Sequence, residues 1–148
     1  MFLFHYRQEG MKNKVVISVG SNINPDRNIA YALKLLTEVM DVKSQTPLIE
    51  TQPIGIIDQP IFKNGAVFGY THLTQEELNT QLKLIEDKIG RDRSRPKFGP
   101  REIDLDITLW NDEVIDNDYY TRDFLQKLVQ WIDQDSENGT SNESNPIL

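Results

Sequence analysis

The sequence contains no cysteine, which excludes disulfide bonds and thiolate metal sites. This composition is compatible with a reducing compartment, and we expect a cytoplasmic protein. No apolar run approaches the roughly 18 residues that a membrane-spanning helix needs. The first residues, MFLFHYRQEG, lack the long apolar segment and the small-residue cleavage site of a signal peptide. We therefore expect no association with a membrane.

Positive charge is also scarce, with 16 lysine and arginine residues against 23 aspartate and glutamate residues and a net charge of -7. This balance argues against nucleic-acid binding. Five basic residues nevertheless fall within residues 91–101, where only Asp92 opposes them. They are Arg91, Arg93, Arg95, Lys97 and Arg101. Such a basic loop is typical either of a site for a small polyanion or of a solvated, charged surface segment.

The hydrophobic pattern predicts an α+β fold within a chain of 148 residues, the size of one domain. Strands are predicted at 15–19, 44–51, 62–71 and 103–110, and helices at 25–40, 75–89 and 122–132. Without the last helix, the order is strand, helix, strand, strand, helix, strand. This order is that of a ferredoxin-like fold, in which helices pack on one face of a four-stranded antiparallel sheet. The short C-terminal helix is an addition to it.

Local signals predict where several of these elements end. Thr74 and Glu77 form a capping-box pattern, and Gly90 is typical of a helix C-terminus. Pro47 predicts an edge or a bulge in its strand. Gly20-Ser21-Asn22 predicts a turn after the first strand, and residues 111–113 predict another after which Val114-Ile115 could pair back.

The chain is expected to have three parts. Residues 1–12 form an N-terminal extension and residues 13–132 form the folded domain. Residues 133–148 are polar and acidic, and we expect them to be an unstructured tail.

The segment KFGPREIDLDITLW, residues 97–110, places two acids within an apolar strand. Residues two apart on a strand lie about 7 Å apart on one face, so Asp104 and Asp106 share a face. Ile103, Leu105 and Ile107 take the other face and are expected to pack on the helices. Adjacent carboxylates raise each other's pKa unless a cation such as Mg²⁺ lies between them. Alternatively, the two acids form a surface ion-pair cluster with the nearby arginines.

The basic loop could bind a triphosphate, because arginine binds phosphate through two donors and lysine binds it as a point charge. The sequence has neither a Walker A motif nor a kinase-type glycine-rich loop. A phosphate site would therefore depend on the basic side chains and on the acid pair, which together neutralise charge in phosphoryl-type transfer.

Phe62 and Asn64 also lie two apart on a predicted strand. An aromatic ring beside an amide could stack on a flat heterocycle and hydrogen-bond to its edge. The alternative is that Phe62 belongs to the core and Asn64 to a turn.

Four segments occur together in the order of a known family. They are GSN after the first strand, TQPIG with DQPIFKN, GRDR, and FGPREIDLDI. From about Val15 to about Ile115 the chain resembles the 6-hydroxymethyl-7,8-dihydropterin pyrophosphokinases. The resemblance implies a ferredoxin-like fold and the transfer of pyrophosphate from ATP to a pterin alcohol in folate biosynthesis, with AMP as the other product.

The resemblance also implies roles at matching positions. Asp104 and Asp106 would bind two Mg²⁺ ions, with ATP as co-substrate, and Arg93 and Arg101 would join them as catalytic residues. The implied ATP contacts are Glu86, Arg91, Lys97, Arg101, Ile107 and Arg122. The implied pterin contacts are Thr51, Pro53, Gly55, Phe62, Asn64 and Phe124. The implied partners are these small molecules alone, and we expect a monomer.

The sequence departs from the family pattern in two places. The family often has Arg-Trp where this chain has Lys97-Phe98. After Ile115 a family segment with a histidine is missing, and Arg122-Asp123-Phe124-Leu125 is the remnant of an Arg-x-Phe motif. These departures keep open the alternative of a non-catalytic paralogue that binds pterin or nucleotide. A ferredoxin-like RNA- or protein-interaction domain is disfavoured, because the exposed face of the sheet would carry acids.

Overall fold

The structure is a computed structural model that describes residues 12–116 and 123–137. These residues form nine secondary-structure elements. The strands of this described part are β1 (Asn13–Ser21), β2 (Asp41–Gln45), β3 (Ile49–Thr51), β4 (Phe62–Thr71), β5 (Asp104–Trp110) and β6 (Glu113–Val114). Its helices are α1 (Pro25–Leu36), α2 (Gln75–Ile89) and α3 (Asp123–Glu137). The predicted α+β class is confirmed, and β4 has the predicted bounds.

The strands form one open antiparallel sheet. Across the described residues its order is β2-β4-β1-β5-β6, and β3 also pairs with β4. The prediction of four strands is wrong, because the described residues contribute six strands to the sheet. The segment predicted as one strand at 44–51 divides at Thr46-Pro47-Leu48, since proline has no N–H for a ladder hydrogen bond. The other additional strand, β6, pairs with β5 through Glu113 and Val114, which confirms that the chain pairs back after its turn.

Helix α2 has both of the ends that the sequence predicts. The Thr74 hydroxyl accepts a hydrogen bond from the Glu77 N–H at 3.1 Å, and the Glu77 carboxylate accepts one from the Thr74 N–H at 2.9 Å. The helix stops at Gly90, whose φ of 104° lies in the left-handed region that glycine adopts without strain. This well-defined end matters because the basic loop begins at the next residue.

Apolar side chains pack on both faces of the sheet. Successive residues of a strand point to opposite faces, so Val15 and Val16 lie in different clusters. The first cluster joins the sheet to α1 and α2, as the prediction of helices on one face requires. The second cluster consists of Val16, Ala66 and Phe68 with Leu128, Val129 and Ile132 of α3. Helix α3 therefore covers part of the opposite face.

The final helix is longer than predicted. Its backbone continues past the expected end at Ile132 to Glu137, so residues 133–137 are helical rather than part of an unstructured tail. The division of the chain into extension, domain and tail stays a prediction. None of the helices in the described segments combines the length and apolar character needed to cross a bilayer.

The register of the central strands sets the position of the acids. Gly20 and Ser21 are the last residues of β1, so the turn predicted for Gly20-Ser21-Asn22 starts later than expected. Gly20 lies opposite Asn64 of β4 on one side and opposite Asp104 of β5 on the other. The end of β1 thus places the predicted pterin-side and metal-side residues next to each other.

Candidate active site

A cavity of about 430 Å³ opens where β1 ends and β4 and β5 begin, beside the last turns of α2 and the basic loop. Ten of the residues selected from the sequence line it. They are Thr51, Phe62, Asn64, Glu86, Arg91, Arg93, Lys97, Arg101, Asp104 and Asp106. The fold therefore brings four of the six implied ATP contacts and three of the six implied pterin contacts to one site.

The acid pair is oriented as the alternation predicts. Ile103, Leu105 and Ile107 are buried in the cluster that contains α1 and α2. Asp104 and Asp106 point to the other face and line the cavity. The apolar residues thus anchor the strand that sets the spacing of the two carboxylates.

The two carboxylates have different surroundings. One oxygen of Asp104 lies 3.2 Å from an Arg91 nitrogen and the other lies 2.8 Å from an Arg101 nitrogen, so this residue forms the alternative ion-pair cluster. Asp106 has no lysine or arginine ion pair among the residues described. Partial loss of hydration, followed by repulsion from neighbouring carboxylates and above all Asp104, raises the pKa of Asp106 to about 7. Because Asp106 still reaches solvent, that loss of hydration is incomplete.

Glu86 connects the acid strand to the basic loop. It is 3% exposed, and one carboxylate oxygen accepts a hydrogen bond from the Leu105 N–H at 2.8 Å. The other oxygen lies 2.9 Å from an Arg91 nitrogen and 3.0 Å from an Arg93 nitrogen. Glu86 thus holds the backbone between the two acids and the first two arginines of the loop.

The remaining basic side chains are arranged around this centre. Arg93 also pairs with Asp87, and Arg95 pairs with Glu102. The Lys97 ammonium forms no ion pair within the described residues and lies 5.4 Å from the centre of the Phe98 ring. The four arginines of the loop are therefore paired with nearby acids, whereas Lys97 has no ion pair within the described residues.

The other side of the cavity carries the amide and the ring. Asn64 donates a hydrogen bond of 2.6 Å to the Thr51 hydroxyl, and it lies within β4 rather than in a turn. Phe62 is partly exposed and lines the cavity, so it is not a plain core residue. A Cβ atom at Gly20 would come within 2.6 Å of the Asn64 side-chain oxygen. Glycine at this position therefore leaves the space that Asn64 occupies.

Several selected residues lie outside the cavity wall. Pro53 is buried in the loop between β3 and β4, and Gly55 in the same loop packs against the Phe98 ring. Ile107 is a core residue that also borders a second cavity, of about 500 Å³, beyond Asp106. Arg122 and the side chain of Phe124 lie outside the described residues, so their roles stay predictions.

Part of the lining was not predicted as site residues from the sequence. The additional residues are Gly20, Gln52, Ile54, Asn79, Lys83, Phe98, Gly99 and Leu105. Asn79 and Lys83 precede Glu86 by seven and three positions, and such residues share one face of a helix. This spacing could have identified them once Glu86 was selected.

The acid pair is the part of the site that could hold a metal ion. The described residues contain no group of three or more histidine, aspartate or glutamate side chains arranged for a metal. A cation at Asp104 and Asp106 would therefore complete its coordination with oxygens of a ligand and water, which is how Mg²⁺ is usually held beside phosphates.

Comparisons with known proteins show which family the chain belongs to. The chain is 39% identical over 107 residues to a folate synthesis bifunctional protein of Arabidopsis thaliana, covering 71% of this chain and 22% of that protein. It is 38% identical to the 2-amino-4-hydroxy-6-hydroxymethyldihydropteridine pyrophosphokinases of Aquifex aeolicus and Bacillus subtilis. These matches cover 68% and 73% of this chain, and 63% and 66% of those proteins. The family model for 7,8-dihydro-6-hydroxymethylpterin-pyrophosphokinase (HPPK) matches residues 16–134. The chain therefore belongs to the HPPK family.

Proposed function

We propose that this protein transfers pyrophosphate from ATP to 6-hydroxymethyl-7,8-dihydropterin, giving the pterin diphosphate and AMP for folate synthesis. The observation that carries the proposal is the shared cavity, in which Asp104 and Asp106 face the Phe62 and Asn64 side across Gly20. Family membership and the pyrophosphokinases among the relatives support the same reaction.

The reaction requires one bond to form and one to break. The hydroxymethyl oxygen of the pterin bonds to the β-phosphorus of ATP and releases its proton to water. The bond from that phosphorus to the oxygen shared with the α-phosphate breaks, and AMP leaves with the electron pair. Little covalent chemistry is left to the protein, so it contributes by positioning the reactants and by stabilising charge.

The basic residues are proposed to hold the nucleotide. Arg91, Arg93 and Arg101 would exchange some of their present contacts with Glu86 and Asp104 for phosphate oxygens. Arginine suits this exchange because its planar fork can bind either a carboxylate or a phosphate through two donors. The further implied ATP contacts are Lys97, Ile107 and Arg122. The second cavity beside Ile107 offers space for the part of the nucleotide beyond the phosphates.

The pterin is proposed to lie on the Asn64 side. The amide of Asn64 has donors and an acceptor to read the edge of a heterocycle, and its bond to Thr51 fixes the orientation of that amide. Phe62 would stack on one face of the ring. The remaining implied pterin residues are Pro53, Gly55 and Phe124.

Magnesium fits the donors of this site. Asp104 and Asp106 would hold it, two ions by the family resemblance, together with phosphate oxygens. When bound, it neutralises charge on the phosphates. The elevated pKa of Asp106 supports the assignment, because a carboxylate crowded by other acids gains most from a cation.

The proposal also covers the fold type, the oligomeric state and the cellular location of the protein. The order of β2, β4, β1 and β5, with α1 and α2 on one face, supports a ferredoxin-like fold. We propose a cytoplasmic monomer that acts on small molecules and not on nucleic acid or membranes. The net charge of -7 supports the exclusion of nucleic acid.

The activity is tested by incubating the purified protein with ATP, Mg²⁺ and the pterin alcohol and measuring AMP. Release of AMP that depends on the pterin supports the proposal, and Asp104→Ala should lower it by about a hundredfold or more. Asp41→Ala, which removes an exposed acid of the edge strand β2, is the matched control and should retain activity. Tight ATP binding without AMP release would favour the non-catalytic paralogue instead.

A further inference from the structure

Asn22 is a buried polar residue at the junction of three segments of the site. It is 3% exposed and directly follows the last residue of β1. Its N–H donates to the Arg101 carbonyl at 3.1 Å, and its side-chain oxygen accepts from the Arg101 N–H at 2.8 Å. Its side-chain nitrogen donates to the Gln59 side-chain oxygen and to the Pro60 carbonyl, both at 2.9 Å. One amide therefore joins β1 to the basic loop and to residues 52–61, the β3–β4 loop.

Gln59 extends this network to the tip of the basic loop. Its side-chain nitrogen donates to the Ile56 carbonyl at 2.6 Å and to the Phe98 carbonyl at 2.7 Å. The Phe98 ring packs against Gly55 in the same β3–β4 loop. The two loops that border the cavity are thus connected through Asn22, through Gln59, and through the contact of Phe98 with Gly55.

The two ends of the Asn22 side chain serve different parts of the cavity. The acceptor end fixes the backbone of Arg101, whose guanidinium holds Asp104 at 2.8 Å. The donor end fixes Gln59 and Pro60, which lead directly into the strand that begins at Phe62. A shift of either loop would change the separation between the phosphate-binding and ring-binding sides.

We propose that Asn22 is a positioning residue that sets the β3–β4 loop against the basic loop, with Gln59 as its second link. It touches neither reactant and acts through Arg101 on one side and through the loop before Phe62 on the other. This inference rests on the proposed function, since it assigns the two loops to the two substrates.

The chemistry of the amide provides a selective test. Asn22→Asp keeps the acceptor for the Arg101 N–H and removes the two donors to the β3–β4 loop at nearly constant volume. Gln59→Glu keeps the acceptor for Asn22 and removes the donors to Ile56 and Phe98. The matched control is Asn28→Asp, which removes one donor from a partly buried amide that bonds to the Ile23 carbonyl outside the cavity.

Steady-state kinetics should separate these variants. Asn22→Asp and Gln59→Glu should each raise KM for the pterin alcohol about tenfold, the equivalent of one or two lost hydrogen bonds, with a smaller change in KM for ATP. Asn28→Asp should change neither value by more than about twofold, because its only lost hydrogen bond lies outside the two loops. Equal pterin KM values in Asn22→Asp and Asn28→Asp would overturn the proposal.

A measurement without substrates keeps the test independent of the activity. Amide hydrogen exchange of residues 56–60 and 96–99 should rise together in Asn22→Asp and stay at the wild-type rate in Asn28→Asp. Unchanged exchange in both segments would refute the positioning role even if wild-type protein is active. If the wild-type protein is inactive but both segments exchange faster in Asn22→Asp, only the proposed function is refuted.

Discussion

The backbone N–H of Leu105 donates a hydrogen bond of 2.8 Å to the buried carboxylate of Glu86. Leu105 lies between the two acids of the candidate metal site, so this bond ties α2 to the strand segment that determines their spacing. The same carboxylate pairs with Arg91 and Arg93. Family resemblance assigns Glu86 to the nucleotide, whereas its contacts in this structure are with Leu105, Arg91 and Arg93, which line the candidate site.

Replacing Glu86 by glutamine should therefore affect stability and activity together. The loss of one partner of a buried ion pair costs about 3–5 kcal/mol. Here Arg91 keeps Asp104 and Arg93 keeps Asp87, so we expect the free energy of unfolding to fall by only about 1–3 kcal/mol. AMP formation should fall by about tenfold or more because the acid strand and the loop lose their common anchor. Urea denaturation and steady-state kinetics measure the two effects.

Asp87→Asn is the control for Glu86→Gln. Asp87 is 57% exposed and pairs with Arg93 on the surface. Exposed pairs contribute about 0–1 kcal/mol, so this variant should unfold nearly as wild type does and retain its activity. If both variants lose stability and activity equally, Glu86 has no special role as an anchor.

The raised pKa of Asp106 predicts that the stability of the metal-free protein depends on pH. An aspartate in an unfolded chain titrates at about 3.9, whereas the pKa of Asp106 in the folded protein is raised to about 7. The folded protein therefore holds the Asp106 proton more tightly than the unfolded chain does. The resulting stabilisation is fully present below the unfolded-chain pKa of about 3.9 and is lost as pH rises through about 7. Asp106→Asn should raise the melting temperature at pH 8 in EDTA, and this gain should shrink to nothing near pH 4.

Thermal unfolding at several pH values tests that expectation. Asp41→Asn removes one exposed acid of the edge strand and controls for the change in net charge. It should not reproduce the pH-dependent gain. A gain of the same size at pH 4 and pH 8 would mean that packing, and not titration of Asp106, causes it.

The capping box of α2 allows stability to be separated from function. Thr74→Ala removes the hydroxyl that accepts from the Glu77 N–H and should lower the free energy of unfolding by about 1 kcal/mol. Glu86 lies twelve residues further along the helix, about 18 Å away at 1.5 Å per residue. The kcat of folded protein at saturating ATP should therefore stay at the wild-type value, although Gln75 and Glu76 beside the cap line the second cavity. Thr74→Ser should restore stability. A parallel fall in kcat would show that the cap influences the site.

The parts of the fold that depend on local patterns were predictable. The bounds of β4, the capping box and the opposite orientation of Asp104 and Leu105 all follow from residues close together in the chain. The division of the predicted strand at Pro47 was indicated only as an edge or bulge, because propensity does not determine whether pairing resumes after a proline.

The network of Asn22 could not be predicted from the sequence. Its partners Arg101 and Gln59 lie 79 and 37 positions away, and no periodicity connects residues at such distances. The placement of α3 on the opposite face could not be predicted either, because an amphipathic helix does not specify which apolar surface it covers. The family motifs supplied the residues of the site, and the fold supplied their contacts.

Gly20 and Asn64 should behave as one unit in pterin binding. A Cβ atom at position 20 would come within 2.6 Å of the Asn64 oxygen, so Gly20→Ala must displace that amide and weaken its bond to Thr51. We expect pterin KM to rise about tenfold in Gly20→Ala and at least as much in Asn64→Ala. Because both changes act on the same amide, the double variant should be no worse than Asn64→Ala alone. Additive effects in this cycle would mean that Gly20 contributes by another route, such as direct approach of its backbone to the substrate.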